Sequence, residues 1–340
     1  MNEPRRTQGA HAAWPSTLTA ILGLALTMDC LAGQPRFSVT YPSWVGAVAY
    51  SSDGKFLAVG TAEGATRVLQ TGDGHELAVL RGHTDAIGSV SFTPDGKQII
   101  TGSFDHTARI WEVQTAKARM TLRGHRGAVM SVAVSPDGKT LATGSIDSTI
   151  NFWDSSTGDL RATLSGHKSW VNSIVFSPDG KTLLSGSSDG TVRIWKIAGG
   201  QAVTTLQATT TDQSTPAEVR SVAISPDGKM VVAGIRYGWV KLWTAPEWSK
   251  SRSFKAHGAD AWSVVFNPTG SMLITGDGDW NRPGQVKLWD TMTSALLAQL
   301  STSGEVLAIA CSPDGRQVAI GNWNKELEVW EVPTVSAARE

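Results

Sequence analysis

Net charge and cysteine are both scarce in this sequence. The 30 basic residues balance the 30 acidic ones, so the chain lacks the basic surface that a partner held through its phosphates requires, and no nucleic-acid partner is expected. The two cysteines, Cys30 and Cys311, are too distant for a disulfide framework, and no CxxC pair indicates zinc. Cys311 ends an apolar segment that begins at Leu307, which predicts a small buried hydrophobic residue.

Apolar runs are short near the N-terminus. The run from Leu18 to Met28 has eleven residues, whereas a transmembrane helix needs about 20, so no transmembrane span is expected. Its length and the preceding Arg5 and Arg6 favour a signal peptide within residues 1–34, although the polar stretch before it departs from that pattern. The prediction is a secreted or periplasmic protein, with a cytoplasmic location as the alternative. The residues before Cys30 disfavour a lipid anchor there.

Motifs for nucleotide and metal chemistry are also absent. The sequence contains no GxxxxGK[ST] phosphate loop, no HExxH zinc pair and no EF-hand loop. Its repeated Asp-Gly turns each offer one carboxylate, fewer oxygens than calcium requires. No cofactor and no metal are therefore expected.

Glycine and tryptophan are abundant, with 35 and 14 residues. A Ser-Pro-Asp-Gly-Lys turn and its variants recur seven times, with the acidic position or its substitute at Asp53, Asp95, Asp137, Asp179, Asp227, Thr269 and Asp314. The first three intervals are 42 residues each and the later ones are 48, 42 and 45. Proline presets φ and glycine adopts the positive φ that ends such a turn. Seven structural units in register are therefore predicted.

Each unit has the pattern of four short antiparallel strands. In the second unit an alternating segment, Ser89 to Phe92, precedes the turn, and Gln98 to Gly102 follows it. A third segment ends in Trp111, and a fourth leads to the next unit. Four antiparallel strands in about 42 residues are typical of one propeller blade, so the pattern predicts an all-β, seven-bladed propeller.

The repeats resemble those of the WD-repeat (WD-40) β-propeller family over residues 35–333, which leaves a short tail at 334–340. A Gly-His pair appears at Gly82-His83, Gly124-His125 and Gly166-His167, and the Trp-Asp pair is literal at Trp153-Asp154 and Trp289-Asp290. Proteins of this family are typically binding platforms, so the resemblance implies a scaffold rather than an enzyme.

The register also predicts how the ring closes. The last blade ends with its third strand at Glu328 to Val332, and Arg36 to Thr40 aligns with a fourth strand that has no blade of its own. The N-terminal strand should therefore complete the seventh blade and remove a free sheet edge.

Three blades repeat a set of four polar positions. The sets are His83, Thr101, Asp105 and Trp111 in blade two, His125, Thr143, Asp147 and Trp153 in blade three, and His167, Ser185, Asp189 and Trp195 in blade four. Hydroxyl, imidazole and carboxylate together resemble a hydrolase triad. An active site is needed only once, however, and the family resemblance implies a structural network from Asp through His and the hydroxyl to the indole. No catalytic residue is predicted.

The other blades depart from this set. Blade one has Tyr41, Val59, Glu63 and Leu69 in the four positions, blade five has Tyr237 in the Asp position, blade six has His257, Thr275, Asp279 and Trp289, and blade seven has Asn324 and Trp330 without a histidine. Blades two to four should therefore be the best ordered, with apolar burial carrying more of the stability elsewhere.

Eight tryptophans are not required by the third-strand position of a blade. Most of them align with connections at one end of the propeller. Together with matching positions in other blades they give a candidate binding face: Trp44, Phe104, Met130, Ile146, Trp170, Arg220, Arg236, Trp262 and Trp323. Trp and Arg are enriched at binding hot spots. The alternative is that these side chains pack on neighbouring loops.

Two insertions enter the same end. Gln207 to Pro216 lengthens the loop into blade five, and Asn281 to Gly284 lengthens a turn in blade six. Such loops are either solvated or form a flap beside the candidate face.

The leading hypothesis is a scaffold that binds a protein or peptide on the tryptophan-rich end. A propeller that binds a small molecule or carbohydrate is the runner-up, since exposed Trp also stacks on sugars, and a hydrolytic propeller ranks third.

Overall fold

The computed structural model describes residues 33–209, 217–279 and 282–333. Outside these ranges lie residues 1–32 of the predicted leader, which include Cys30, and the tail at 334–340. Most of the insertion before blade five and residues 280–281 of the insertion in blade six also lie outside them. In the described residues, seven separate four-stranded antiparallel sheets surround a central channel. The predicted all-β, seven-bladed propeller is therefore confirmed.

Blades one to three consist of the following strands. Blade one contains β2 (Val45–Tyr50), β3 (Phe56–Thr61), β4 (Ala65–Gln70) and β5 (Glu76–Arg81). Blade two contains β6 (Ile87–Phe92), β7 (Gln98–Ser103), β8 (Thr107–Glu112) and β9 (Lys117–Arg123). Blade three contains β10 (Val129–Val134), β11 (Thr140–Ser145), β12 (Ile150–Asp154) and β13 (Leu160–Leu164).

Blades four to seven follow the same order. Blade four contains β14 (Val171–Phe176), β15 (Thr182–Ser187), β16 (Thr191–Lys196) and β17 (Ala202–Gln207). Blade five contains β18 (Val219–Ile224), β19 (Met230–Ile235), β20 (Trp239–Thr244) and β21 (Lys250–Lys255), with a 3-10 turn at Arg236–Gly238. Blade six contains β22 (Asp260–Phe266), β23 (Met272–Gly278), β24 (Gln285–Asp290) and β25 (Leu296–Ser301). Blade seven contains β26 (Val306–Cys311), β27 (Gln317–Asn322) and β28 (Glu326–Glu331), with β1 (Phe37–Thr40) as its outer strand.

The ring closes through the N-terminal strand. β1 pairs antiparallel with β28, from Phe37 opposite Val329 to Thr40 opposite Glu326. Both ends of the described chain therefore belong to one sheet, as the sequence predicts. The Phe37 ring packs so close to Gly74 that a Cβ there would lie 2.6 Å from it, and Gly74 adopts a φ of +77°. The last blade is thereby joined to blade one by side-chain packing as well as by its own sheet.

The recurring turn has one internal hydrogen-bond pattern. In blade two the Thr93 hydroxyl donates to Asp95 at 2.6 Å, and Asp95 accepts the backbone N–H of Lys97 at 3.1 Å. Gly96 adopts a φ of +68°, as the turn requires. Serine replaces Thr93 in most copies, with the same contacts.

The core lies between adjacent blades. One cluster joins Ala58, Leu80, Ile87, Ile99 and Trp111, which come from blades one and two. Similar clusters occupy the other inter-blade spaces, and the six third-strand tryptophans are all buried. Cys311 is only half-buried, and burial raises the pKa of its thiol to about 11. No helix in the described ranges has the length and apolar character needed to traverse a bilayer.

Every first strand contains a bulge at the same point. The register with the second strand shifts across one residue in each blade. We call these residues the bulge ring: Gly46, Gly88, Met130, Asn172, Arg220, Trp262 and Leu307. All seven line the central channel, a cavity of about 480 Å³. A bulge re-aims a side chain away from the regular alternation of a strand, so this feature brings one residue from each blade to the mouth of the channel.

A ring of serines follows the bulge ring. Ser89, Ser131, Ser173, Ser221 and Ser263 each accept a hydrogen bond from the first-strand backbone of the next blade, at 3.0–3.3 Å. Alanine stands at the equivalent positions 47 and 308. Five of the seven blade interfaces therefore have a polar link at the channel wall.

Ser131→Ala should lower the free energy of unfolding by about 1–2 kcal/mol, because the buried N–H of Ile174 loses its acceptor. Urea denaturation checks this effect. Ser91→Ala is the matched control, since the Ser91 hydroxyl makes only a 3.4 Å contact with the carbonyl of Phe92. An equal loss in both variants would contradict a specific role for the serine ring.

Candidate functional site

The top face is the end of the ring that carries the loops entering each first strand and the turns between second and third strands.

In blade two, His83 Nδ1 lies 2.7 Å from the Asp105 carboxylate and His83 Nε2 lies 2.7 Å from the Thr101 hydroxyl. A carboxylate can only accept, so Nδ1 carries the proton and Nε2 accepts from Thr101. The Trp111 indole donates to the same hydroxyl at 2.8 Å. Together these bonds tie the entering loop to the turn and to the third strand.

Blades three and four have the same geometry. His125 lies 2.9 Å from Asp147 and 2.7 Å from Thr143, which accepts from Trp153 at 2.9 Å. His167 lies 2.9 Å from Asp189 and 2.6 Å from Ser185, which accepts from Trp195 at 2.8 Å. All three hydroxyl groups belong to fully buried residues. Each hydroxyl is held between an indole and an imidazole, so it is not placed to attack a substrate.

These networks make stability sensitive to acid. Burial opposes ionisation of Asp105, but bonds from Thr107 and His83 outweigh it and lower the pKa of Asp105 to about 2 from 3.8. A lowered carboxyl pKa stabilises the fold above the unfolded value, and this stability is lost as pH falls from about 4 towards 2. Burial lowers the pKa of His83 and His257 below 6.5, so their contribution is complete above pH 6.5 and decreases below it.

Urea midpoints should therefore be constant above about pH 7 and fall in two stages, below about pH 6.5 and again below about pH 4. Asp105→Asn should be less stable at neutral pH and should lose less of its remaining stability between pH 4 and pH 3. Parallel pH profiles for Asp105→Asn and the wild type would contradict the assignment.

Blade six uses a different carboxylate from the expected one. The Thr275 hydroxyl contacts His257 at 2.7 Å and accepts from Trp289 at 2.8 Å. His257 Nδ1, however, faces Asp277 at 3.5 Å, and the prediction of Asp279 is wrong. β23 continues to Gly278, so the register places Asp277 beside the imidazole. Asp279 instead lies in an isolated antiparallel β-bridge between its backbone and that of Arg282. The contact with Asp277 is longer than those in blades two to four.

Blades one and seven have polar networks that the repeat does not predict. In blade one the buried Arg67 donates to Thr61 at 3.2 Å, pairs with Glu63, and lies 4.9 Å from the Tyr41 ring centre. In blade seven the Trp330 indole donates to Glu328 at 2.9 Å. Glu328 also accepts from the backbone and hydroxyl of Ser303, both at 2.9 Å, and from Asn322 at 3.1 Å. Polar links thus replace the histidine set in these blades.

Three predicted face residues form an aromatic cluster over blades seven, one and two. The rings of Trp44 and Trp323 stack at 5.7 Å with 9° between their planes, and Phe104 lies 6.4 Å from Trp44. Trp44 lies over Gly46, where a Cβ would be 2.3 Å from the indole, and Phe104 lies 3.1 Å from the equivalent point at Gly88. Glycine in the bulge ring therefore allows these aromatic rings to cover part of the mouth of the channel.

Three others form a charged group over blades five and six. The Arg220 guanidinium lies 4.5 Å from the Trp262 ring centre and donates to Asp260 at 2.9 and 3.1 Å. Glu218 pairs with Arg220 at 2.8 Å and with Arg236 at 2.7 Å. Both arginines are held by carboxylates. Their side chains are therefore fixed in position and give this part of the face a fixed pattern of charge.

The remaining face residues stand apart. Met130 is half-buried in the bulge ring, and Ile146 is half-buried against Gly127. Among the tryptophans that the structure describes, Trp170 and Trp323 are exposed, at 51% and 38%. Tyr237, which by spacing occupies the Asp position of blade five, is 49% exposed on the same face. Its φ of +62° is unusual for a non-glycine residue and was not visible in the spacing.

A closed ring of four-stranded blades with a repeated indole–hydroxyl–imidazole–carboxylate network defines a WD-type propeller. The chain belongs to the WD40 family: the model "WD domain, G-beta repeat" matches residues 74–112, 116–154, 158–196, 201–244, 248–290 and 295–331. Each match begins near the outer strand of one blade and ends with the third strand of the next. The strands β1 to β4 lie outside these matches, in agreement with the Arg67 network of blade one.

Similar curated proteins match only part of this chain. It is 31% identical to Periodic tryptophan protein 2 homolog of Schizosaccharomyces pombe over 77 residues, which are 22% of this chain and 8% of that protein. It is 33% identical to THO complex subunit 3 of Arabidopsis thaliana over 85 residues, which are 25% of this chain and 26% of that protein. The matched segments thus span well under two thirds of either relative. WD40 propellers are typically scaffolds for protein–protein interaction.

Proposed function

We propose that this propeller is a non-enzymatic scaffold that binds a protein or peptide partner on its top face. The main support for this proposal is that large aromatic side chains are concentrated on the top face. The stacked Trp44 and Trp323, with Phe104, border the channel mouth, and Trp170 and Tyr237 are exposed on the same face. Exposed aromatic side chains clustered on one face of a soluble protein mark an interaction surface.

The charges on the face support a polar partner. Arg220, Arg236, Glu218 and Asp260 form a connected group beside the aromatic cluster. Fixed charges beside aromatic anchors give specificity and orientation in protein recognition. The Arabidopsis relative is itself named as a subunit of a complex, which agrees with a role in assembly.

Buried hydroxyls argue against the hydrolase alternative. Thr101, Thr143 and Ser185 are fully buried and already accept from tryptophan. We therefore propose that the histidine sets hold the loops of the binding face in place and take no part in a reaction.

Three parallel measurements distinguish the classes of function. Affinity capture with the full chain should return a stoichiometric protein partner, glycans should leave tryptophan fluorescence unchanged, and a serine-directed probe should label nothing. A saturable fluorescence response to a glycan without a protein partner would favour the carbohydrate alternative. Labelling of Ser185 by the probe would contradict the non-enzymatic proposal.

We also propose that residues 1–34 direct export, on the basis of the apolar run at 18–28 behind Arg5 and Arg6. N-terminal sequencing of the mature protein should then find a start near Gln34. A mature protein that retains the residues of the run would contradict export by a cleaved signal.

A further inference from the structure

A second, smaller cavity opens on the top face between blades six and seven. It has a volume of about 250 Å³, and its wall includes Asp279, Arg282, Ser303, Glu305 and Trp323. Pockets for drug-sized ligands are typically about 300–1,000 Å³. This cavity is therefore suited to a single side chain or a similarly small group, and its lining residues are separate from those of the central channel.

Glu305 is the unusual residue of this cavity. Glu305 lines the cavity and is only 6% exposed, and among the described residues only the indole N–H of Trp262 lies beside its carboxylate as a donor. This indole contact lowers the pKa of Glu305 less than burial raises it, and the indole N–H is otherwise buried without an acceptor. The absence of a side chain at Gly278 makes room for Glu305, since a Cβ there would lie 1.8 Å from Glu305 Cγ. A buried carboxylate without a cationic partner is costly and calls for a counter-charge.

The surrounding charges do not supply that counter-charge. Burial raises the pKa of Glu305, and the nearby Asp279, Asp260 and Asp277 carboxylates raise it further. Arg220 is already bonded to Asp260. Arg282 is 3.5 Å from Asp277 and does not pair with Glu305. The cavity therefore has an excess of negative charge next to an aromatic wall.

A metal ion fits these residues poorly. In the described part of the chain, no three His, Cys, Asp or Glu side chains converge as metal ligands would. An organic cation is better suited, because a carboxylate pairs with it and an indole face attracts it. The Glu305 carbonyl accepts the backbone N–H of Trp323 at 2.9 Å, so the main-chain segments that carry the two side chains are held next to each other.

We propose that this cavity is a subsite for a lysine or arginine side chain of the bound partner, with Glu305 as the counter-ion and Trp323 as the stacking wall. The proposal rests on the scaffold function above and defines the chemistry of one anchor. It predicts that sequences recognised by the top face contain a basic residue whose removal weakens binding.

The test uses small probes that need no partner. N-acetyl-arginine methylamide and N-acetyl-lysine methylamide are titrated into the full-length protein, with N-acetyl-citrulline methylamide as the neutral match for arginine. Tryptophan indole N–H signals, assigned by substitution, report the site by NMR. We expect the cationic probes to shift the Trp262 and Trp323 signals and to bind at least about tenfold more tightly than the citrulline probe.

Glu305→Gln keeps the shape and removes the charge, so it should weaken the cationic probes at least about tenfold. Glu247→Gln, an exposed glutamate in a turn at the opposite end of blade five, is the matched control and should change binding by less than twofold. Equal binding of charged and neutral probes to the wild type would overturn the subsite, and this comparison does not depend on the folding of any variant.

The two proposals fail separately. If the cationic probes bind through Glu305 but affinity capture yields no protein partner, the subsite is supported and the scaffold function is wrong. If a partner is captured while the probes do not bind and Glu305→Gln leaves partner affinity unchanged, the subsite is overturned and the scaffold function stands.

Discussion

Replacing Glu328 with leucine should lower the free energy of unfolding by about 3–5 kcal/mol, because four donors lose one buried acceptor. The carboxylate accepts from the Trp330 indole, the Ser303 backbone and hydroxyl, and the Asn322 amide, at 2.9–3.1 Å. Leucine fills the space but leaves the buried Trp330 indole without an acceptor and removes one of the two acceptors of the Asn322 amide. Equilibrium denaturation in urea measures the loss.

Glu331→Gln is the control for Glu328→Leu, because it lies three residues along the same strand but is exposed. Its pair with Arg36 at 3.3 Å is at the surface, where such pairs contribute roughly 0–1 kcal/mol. A loss of less than about 1 kcal/mol in Glu328→Leu would contradict the view that this network replaces the missing histidine set.

Deleting residues 35–40 should lower the melting temperature by about 5–10 °C. The deletion removes β1 and exposes the edge of β28 along four paired positions, and it removes the packing of Phe37 and Val39 on the core. Closure of the ring eliminates a free sheet edge, so the shortened protein should also associate at high concentration. Calorimetry and light scattering measure the two effects.

Val39→Asp and Ser38→Asp form a matched pair for this deletion. Val39 packs against the core of blades one and seven, whereas Ser38 on the same strand is exposed. Only Val39→Asp should destabilise the protein. An unchanged melting temperature after the deletion would show that β1 is not needed for closure.

The fold was largely predictable because its signals are local and repeated. Turns of one composition at 42-residue intervals define the blades, and a register argument places β1 beside β28. The histidine sets of blades two to four could be recognised because their four positions keep a constant spacing. A contact within one blade can be predicted from the sequence because the same residues recur at the same spacing in other blades.

The polar contacts of blades one, six and seven could not be predicted from the repeat, and the reason is physical. In blade six a strand longer by one residue than its counterparts places Asp277, and not Asp279, beside His257. In blades one and seven, Arg67 and Glu328 satisfy the polar groups from third-strand positions outside the histidine set. These residues occur at spacings found in one blade only, so no recurrence in other blades indicates their contacts. The bulge ring was missed because a bulge changes side-chain direction without changing residue type.

The candidate face was predicted as one ring and forms two contact groups. Trp44 joins Phe104 and Trp323 because Gly46 and Gly88 leave room for aromatic rings at the channel mouth. Arg220 joins Trp262 and Arg236 because Asp260 and Glu218 lie between them. These pairings depend on contacts between blades, which the sequence of a single blade does not contain.

The affinity of the captured partner for Trp170→Ala/Trp323→Ala measures the central claim most directly. Met292→Ala is the control, since Met292 is 71% exposed but lies in a turn on the opposite face. We predict that the double variant raises Kd about 30-fold or more, as loss of aromatic hot spots does, while Met292→Ala stays within twofold of the wild type. Unchanged affinity in the double variant, with all three proteins melting at similar temperatures, would contradict binding on the top face.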